Sequence, residues 1–161
     1  MKKIWILILT LILAFSLCAC LDMPAKEKTF TVEGVSIVLN DDFFKMNQAA
    51  PEYDFCISSE DIVIFGLRVD LAEEGLYGVS AKEYAQVFAG LLEHETEMTE
   101  FNGKPVVRYN TTDADGDLQV VNAVFYETEG CYWMLSFISD ADDFAEELPE
   151  IRKYADSVTF G

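Results

Sequence analysis

Three aspartates alternate through one short stretch, Asp113-Ala114-Asp115-Gly116-Asp117, and are the side chains best suited by type to bind a cation. Carboxylate oxygens are the ligands that Ca²⁺ prefers, about six to eight at a time. The glycine, however, stands fourth where a twelve-residue calcium loop needs it sixth, and Val124 stands twelfth where that loop has a bidentate glutamate. The stretch is also typical of a polar hairpin tip. We therefore expect a turn without a cofactor, with a ligand- or Ca²⁺-binding sensor site as the alternative.

The chain contains one histidine, His94, and this limits the catalytic chemistry open to it. A zinc site built on several histidines is excluded. His94 stands between Glu93 and Glu95 near the end of a predicted helix, which is typical of a solvated surface position. Carboxylates are so frequent, 29 in 161 residues, that their spacing says nothing about acid–base catalysis. We expect no enzyme and no catalytic residue.

Two cysteines, Cys56 and Cys131, lie in predicted strands. In an exported protein they could form a disulfide, which would contribute about 4 kcal/mol in the loop-entropy model. They could equally be buried thiols that pack as small apolar side chains. We favour the buried thiols and keep the disulfide as the alternative.

The N-terminus carries the three-part pattern of an export signal. Lys2 and Lys3 precede an apolar run, and the run ends in Leu17-Cys18-Ala19-Cys20. This tetrad resembles the lipobox of bacterial lipoproteins, in which the cysteine is lipidated and becomes the first residue of the mature chain. A membrane-spanning helix would need roughly 20 apolar residues, more than this run supplies. The sequence predicts a signal peptide at residues 1–19, lipidation of Cys20, a tether at residues 20–28, and an extracytoplasmic protein anchored to the bacterial cell membrane.

The charge of the chain is strongly negative. Loss of Lys2 and Lys3 from the 11 basic residues leaves nine against 29 acidic ones in the mature chain. Nucleic acid is excluded as a partner because its phosphates require clustered lysine and arginine. The charge is explained by solubility alone, but it would also hold the domain away from anionic lipid headgroups.

Alternating apolar residues and turn residues divide the mature chain into strands and two helices. Strands are predicted at residues 30–32, 35–39, 53–58, 62–70, 97–101, 105–111, 118–128 and 131–138. Ser80 followed by Glu83 is the capping-box pattern of a helix start. Aspartates 140–143 suit the positive end of a last helix, in which we expect Pro149 to cause a kink or begin a second section.

Two of these strands, 62–69 and 131–138, are apolar at odd and even positions alike. This pattern predicts that both faces of the sheet are covered, and one helix on each side of a single sheet would satisfy it. The predicted fold class is α/β (α+β), a three-layer α/β/α sandwich around a mainly antiparallel sheet of six or more strands. One domain is expected, over residues 29–161.

A similarity to known proteins in hydrophobic spacing and turns extends over five segments, residues 30–37, 80–85, 102–103, 132–133 and 154–158. Together they resemble small lipoproteins of the PsbP and Mog-like fold, over nearly all of the mature chain. The resemblance implies a non-catalytic binding or assembly factor. It assigns no functional residue to this chain, and similarity of fold alone does not determine function.

The connection between residues 70 and 79 places Leu76 and Tyr77 at the centre of an acidic loop. Apolar residues in such a loop could form a recognition surface, or Tyr77 could fold back onto the sheet. The sequence therefore predicts a membrane-anchored module with an unknown protein partner at or near the same membrane. The rival classes are the sensor site at the aspartate turn and a hydrolase.

Overall fold

The computed structural model describes residues 26–47 and 51–161, so the lipobox, Cys20 and most of the tether lie outside the described residues. Within them the chain forms ten strands and two helices. The strands are β1 Glu27–Val32, β2 Val35–Asn40, β3 Phe44–Lys45, β4 Phe55–Ser58, β5 Ile62–Asp70, β6 Thr96–Phe101, β7 Lys104–Thr112, β8 Leu118–Glu127, β9 Cys131–Asp140 and β10 Thr159–Phe160. The helices are α1 Ala81–Leu91 and α2 Phe144–Ser157, and neither is long and apolar enough to cross a membrane.

Seven strands form one antiparallel sheet in the order β3-β4-β5-β9-β8-β7-β6. Strands β6 to β9 are a meander, and β9 returns to pair with β5 over nine residues from Ile62 to Asp70. Helix α1 connects β5 to the far edge strand β6 and packs mainly on β7 and β8. The predicted fold class, an antiparallel sheet with helices on its two faces, is confirmed.

The expectation of a single sheet is wrong, because the opening hairpin leaves the main sheet. Strands β1 and β2 pair with the C-terminal strand β10 in a separate three-stranded sheet. This small sheet lies with α2 on one face of the seven-stranded sheet. The Ser157 hydroxyl accepts a 3.0 Å hydrogen bond from the Val38 amide and so joins α2 to β2. The larger core fills the space between them, and its fully buried side chains include Ile37, Leu39 and Ile64.

Helix α1 begins where the sequence predicts. The Glu83 amide donates to the Ser80 hydroxyl, and the Ser80 amide donates to the Glu83 carboxylate at 2.8 Å, so each side chain caps the other residue's backbone. The hydrogen bonds that the Ser80 amide and hydroxyl donate to the Glu83 carboxylate lower the pKa of Glu83. A smaller core, which includes Ala85 and Phe125, lies beneath this helix.

Helix α2 is unbroken from Phe144 to Ser157, with Pro149 inside it, so the expected second section does not form. Asp143 is the N-cap residue, but its side chain makes no capping hydrogen bond. Ile151, Tyr154 and Ala155 of this helix are buried against the main sheet and the small sheet.

Candidate functional site

On the side of α1, the β3–β4–β5 edge of the seven-stranded sheet is only partly covered. Seven strands at about 4.8 Å spacing are about 29 Å wide, whereas a helix with its side chains is about 10 Å across. Helix α1 packs mainly on β7 and β8, and the core beneath it also buries Tyr132 and Met134 of β9. On the same face, side chains of β3 and the odd positions of β5 stay partly accessible. We call this apolar surface the open face; its residues are Phe44, Met46, Tyr53, Val63, Phe65, Leu67 and Ile138.

The strand register places these side chains on one side of the sheet. Phe44 is paired with Ser58, and Cys56, two residues before Ser58, is paired with Phe65. Directly paired residues share a face, as do residues two apart in one strand. The intervening Phe43 points to the other side and is buried in the larger core. As a result Phe44 is 53% exposed and Met46 41% exposed at the edge of the sheet.

Tyr53 lies across the middle of the open face. Its ring stacks on Phe65 with centroids 4.6 Å apart and planes 28° apart. Partial burial, and to a lesser extent the charge of Glu52, raises the pKa of Tyr53, so its hydroxyl is neutral at physiological pH. The two rings give the surface a flat aromatic centre between Met46 and Leu67.

The open face continues along β5 into a cavity of about 480 Å³ that carries carboxylates, which we call the acidic pocket. Leu67, Val69 and Tyr84 form its apolar wall. Among the residues that the structure describes, its charged lining consists of Asp54, Asp70, Glu73 and Glu74, with Arg68 as the one basic residue. Burial first, and the charge of Glu74 second, raises the pKa of Tyr84.

A second concavity, of about 560 Å³, lies on the opposite side of the sheet, between β2 and α2. Phe43 and Tyr154 pack edge to face in its wall with centroids 5.4 Å apart. Lys153 pairs there with Glu27 at 3.3 Å and with Glu150 at 3.7 Å. Two carboxylates of this groove are thus matched by a lysine, whereas no carboxylate of the acidic pocket forms an ion pair with lysine or arginine in the described part of the chain.

The two loop residues expected to bind a partner are separated by the fold. Leu76 turns inward and packs against the smaller core, whereas the side chain of Tyr77 is 74% exposed. Tyr77 does not fold back onto the sheet. Its loop also carries Glu73 and Glu74 of the acidic pocket, so the loop borders the open face.

The aspartates of the 113–117 stretch form a hairpin tip between β7 and β8. One carboxylate oxygen of Asp113 accepts hydrogen bonds from the amides of Asp115 and Asp117, both at 2.9 Å. Gly116 has a φ of 93°, which this turn requires. Among the described residues, no group of three or more acidic, histidine or cysteine side chains could hold a metal ion.

His94 is exposed in the turn after α1, and its ring stacks on Tyr109 with centroids 5.8 Å apart. Cys56 and Cys131 are free and buried, and the candidate disulfide is therefore not formed. The physical reason is their placement. Cys56 is paired with Phe65 on the α1 side, while Cys131, paired with Asp70, belongs to the core on the α2 side.

Sequence reasoning missed the open face, although its signal was present. The apolar residues at odd positions of β5, such as Val63 and Phe65, contribute to the pattern that predicts cover on both faces. They are half-buried, whereas Ile62 and Ile64 at even positions are fully buried. An apolar run does not by itself reveal whether enough chain is present to cover both sides of the sheet.

No family model matches the sequence, and no curated protein matches it. Several solved structures, in contrast, are similar to this protein. A crystal structure from Bacteroides thetaiotaomicron VPI-5482 is similar with a TM-score of 0.55 and 11% identity, covering 86% of this chain and 49% of the other. This chain thus spans about half the length of that protein, and the similarity shows the fold alone.

Two further structures belong to the fold that the sequence resembles. Cyanobacterial PsbP (CyanoP) from Synechocystis sp. PCC 6803 has a TM-score of 0.48 and 10% identity, with 89% of this chain and 97% of that chain covered. The Ran-binding protein Mog1p of Saccharomyces cerevisiae has a TM-score of 0.49 and 9% identity, with 84% and 96% covered.

Proposed function

We propose that this protein is a lipid-anchored, extracytoplasmic and non-catalytic binding module that docks a protein partner on the open face. The observation that carries the proposal is the accessible aromatic and aliphatic surface around Phe44, Met46 and Phe65 in a chain whose net charge is −18. Contiguous apolar surface on a soluble domain typically marks an interaction site. The high charge of the remaining surface keeps the module soluble while this face is free.

The anchor limits where the partner is located. The first described residue, Lys26, donates its amide hydrogen to the Asp41 carboxylate at 2.9 Å, so the chain is held to the domain from this point. Cys20 stands six residues earlier, and an extended segment of that length reaches about 21 Å. A partner on the open face is therefore a membrane protein or a protein close to the same membrane.

The anchor is tested by replacing Cys20 with serine and fractionating cells. We expect the parent protein in the membrane fraction with added diacylglyceryl mass on its N-terminal peptide, and Cys20→Ser without that mass and without stable membrane retention. Processed Cys20→Ser protein that stays in the membrane would refute the lipid anchor.

The docking surface is tested with two matched methionines. Met46 is 41% exposed and Met98 42% exposed, and they lie at opposite edges of the same sheet. The full-length protein and its Met46→Ser and Met98→Ser variants are purified from detergent-solubilised membranes. We expect a partner that is retained by the parent and by Met98→Ser but lost from Met46→Ser. Equal retention by both variants would refute docking on the open face.

A further inference from the structure

We propose that the partner presents a basic amphipathic segment to this protein, with its apolar side on the open face and a lysine or arginine side chain in the acidic pocket. This inference rests on the proposed docking function and specifies the chemistry of the partner. It follows from two observations: the open face continues into the acidic pocket, and the carboxylates of the acidic pocket form no ion pair with lysine or arginine in the described part of the chain.

The apolar part and the charged part belong to one strand. Phe65, Leu67 and Val69 alternate along β5 on the α1 side, and the last two line the acidic pocket. A segment lying along β5 would thus pass from the aromatic centre to the carboxylates within four residues, about 13 Å. One side of a short helix or strand can contact both ends at once.

The carboxylates at that end are held in place by the backbone. Asp54 Oδ2 accepts from the Arg68 amide at 2.6 Å, and Asp70 Oδ1 accepts from the Ala72 amide at 2.8 Å. Because these two carboxylates are already held in place, binding a partner's cationic side chain in the acidic pocket would cost little side-chain entropy.

The negative charge of the acidic pocket, four carboxylates against one arginine, is only partly balanced within the described part of the chain. None of its four carboxylates forms an ion pair with lysine or arginine there. The pKa of nearby Arg68 is raised, mainly by Cys131 and to a smaller extent by the charges of Asp70 and Asp54, so Arg68 balances part of the charge of those two carboxylates. A cationic side chain of a partner would supply the missing charge.

The negative charge of the protein disfavours two other molecules that could cover the open face, a second copy of this chain and an anionic bilayer. A second copy would bring two acidic pockets together in a pair of chains that each carry a net charge of −18. An anionic bilayer would be repelled in the same way. A basic protein segment is the occupant that matches both the apolar centre and the charged end.

The probe is an 18-residue helical peptide with leucine at positions i, i+3, i+4 and i+7 and lysine elsewhere. A counterpart has glutamate in place of lysine. Binding to the full-length protein in detergent is followed by fluorescence anisotropy. We expect the lysine peptide to bind and the glutamate peptide to bind at least tenfold more weakly.

Charge reversal then locates the site. Glu73→Lys/Glu74→Lys should weaken binding of the lysine peptide about tenfold, as expected for the loss of two exposed charge pairs. The control Glu93→Lys/Glu95→Lys changes the net charge equally, after α1 and away from the acidic pocket, and should leave affinity within twofold. Urea unfolding of each variant shows that it folds. Equal weakening by both variants would overturn the proposal, because net charge alone would then explain binding.

The two proposals fail in different ways. If Met46→Ser abolishes binding of both peptides while Glu73→Lys/Glu74→Lys changes neither, the open face docks partners but the basic partner is refuted. If Met46→Ser leaves binding of the lysine peptide unchanged, docking on the open face itself fails. Concentration-dependent dimers in sedimentation velocity that Met46→Ser abolishes, or equally tight binding to anionic vesicles, would overturn the basic segment in favour of a second copy or a bilayer.

Discussion

Gly66 of β5 offers a sharp test of the packing that supports the open face. It pairs with Phe55 of β4, and a Cβ at Gly66 would lie 2.1 Å from Cε1 and 2.3 Å from Cζ of the Phe55 ring. An ordinary carbon–carbon contact is at least 3.4 Å. The ring is 2% exposed and packs on Trp133 with centroids 5.9 Å apart, so it has little room to move. Gly66→Ala is an overpacking substitution that should destabilise the protein by about 1–3 kcal/mol.

Gly90 is a matched control, at which substitution by alanine should change the stability in the opposite direction. Gly90 lies in α1, and apart from its chain neighbours and the helix's own backbone no heavy atom lies within 4 Å of the position of its Cβ. Gly90→Ala should therefore stabilise the protein by up to about 1 kcal/mol, since alanine loses less backbone entropy in a helix. Urea unfolding measures both effects. With a slope of about 1–3 kcal/mol/M, the midpoint of Gly66→Ala should fall by about 1 M and that of Gly90→Ala should rise.

A double variant isolates the cause. In a Phe55→Ala background the ring is gone, and adding Gly66→Ala should cost little or nothing further. An unchanged midpoint for Gly66→Ala alone, or the same loss in the Phe55→Ala background, would refute the reasoning.

Three further predictions concern polar and titratable groups. Arg108 Nε donates to buried Asn122 Oδ1 at 2.9 Å, so Arg108→Ala should cost about 2–3 kcal/mol in urea unfolding, and less in an Asn122→Ala background; an equal loss in both would contradict the pairing. Burial first, and then nearby carboxylates, raises the pKa of Glu147 above its ordinary value of 4.5. The folded state therefore binds this proton more readily than the unfolded state, and the free energy of unfolding rises as pH falls through the raised pKa. Glu147→Gln should therefore raise the urea midpoint at pH 7 and have less effect at pH 4, and a lower midpoint at pH 7 would contradict this sign. In the processed, lipidated form that we propose, denatured and unreduced protein should show two reactive thiols, Cys56 and Cys131, and a count of zero would show a disulfide.

The local elements could be predicted because their causes are local. Ser80 and Glu83 define the start of α1 within four residues of sequence. The turns at Glu33-Gly34 and Asn102-Gly103 have residues with positive φ in the structure, as tight hairpins require. The alternation of apolar residues placed the longer strands to within a few residues.

The arrangement of those elements could not be predicted in the same way. Whether the opening hairpin joins the main sheet depends on the C-terminal pair Thr159–Phe160, which completes the small sheet more than a hundred residues later. The sequence pattern of β5 predicts cover on both sides but does not show how much of the sheet α1 can cover. The open face and the acidic pocket exist because α1 covers only part of its side of the sheet. The extent of that cover cannot be read from the sequence, so neither surface was predicted.

Site-specific photo-crosslinking in living cells tests the central claim most directly. Benzoylphenylalanine is placed in the full-length protein instead of Phe44 on the open face, and in the control instead of Met98 at the opposite edge of the sheet. Irradiation should give an adduct from position 44 only, and mass spectrometry should identify in it a lysine- or arginine-rich segment of another envelope protein. No adduct from position 44, or the same adducts from both positions, would contradict docking on the open face.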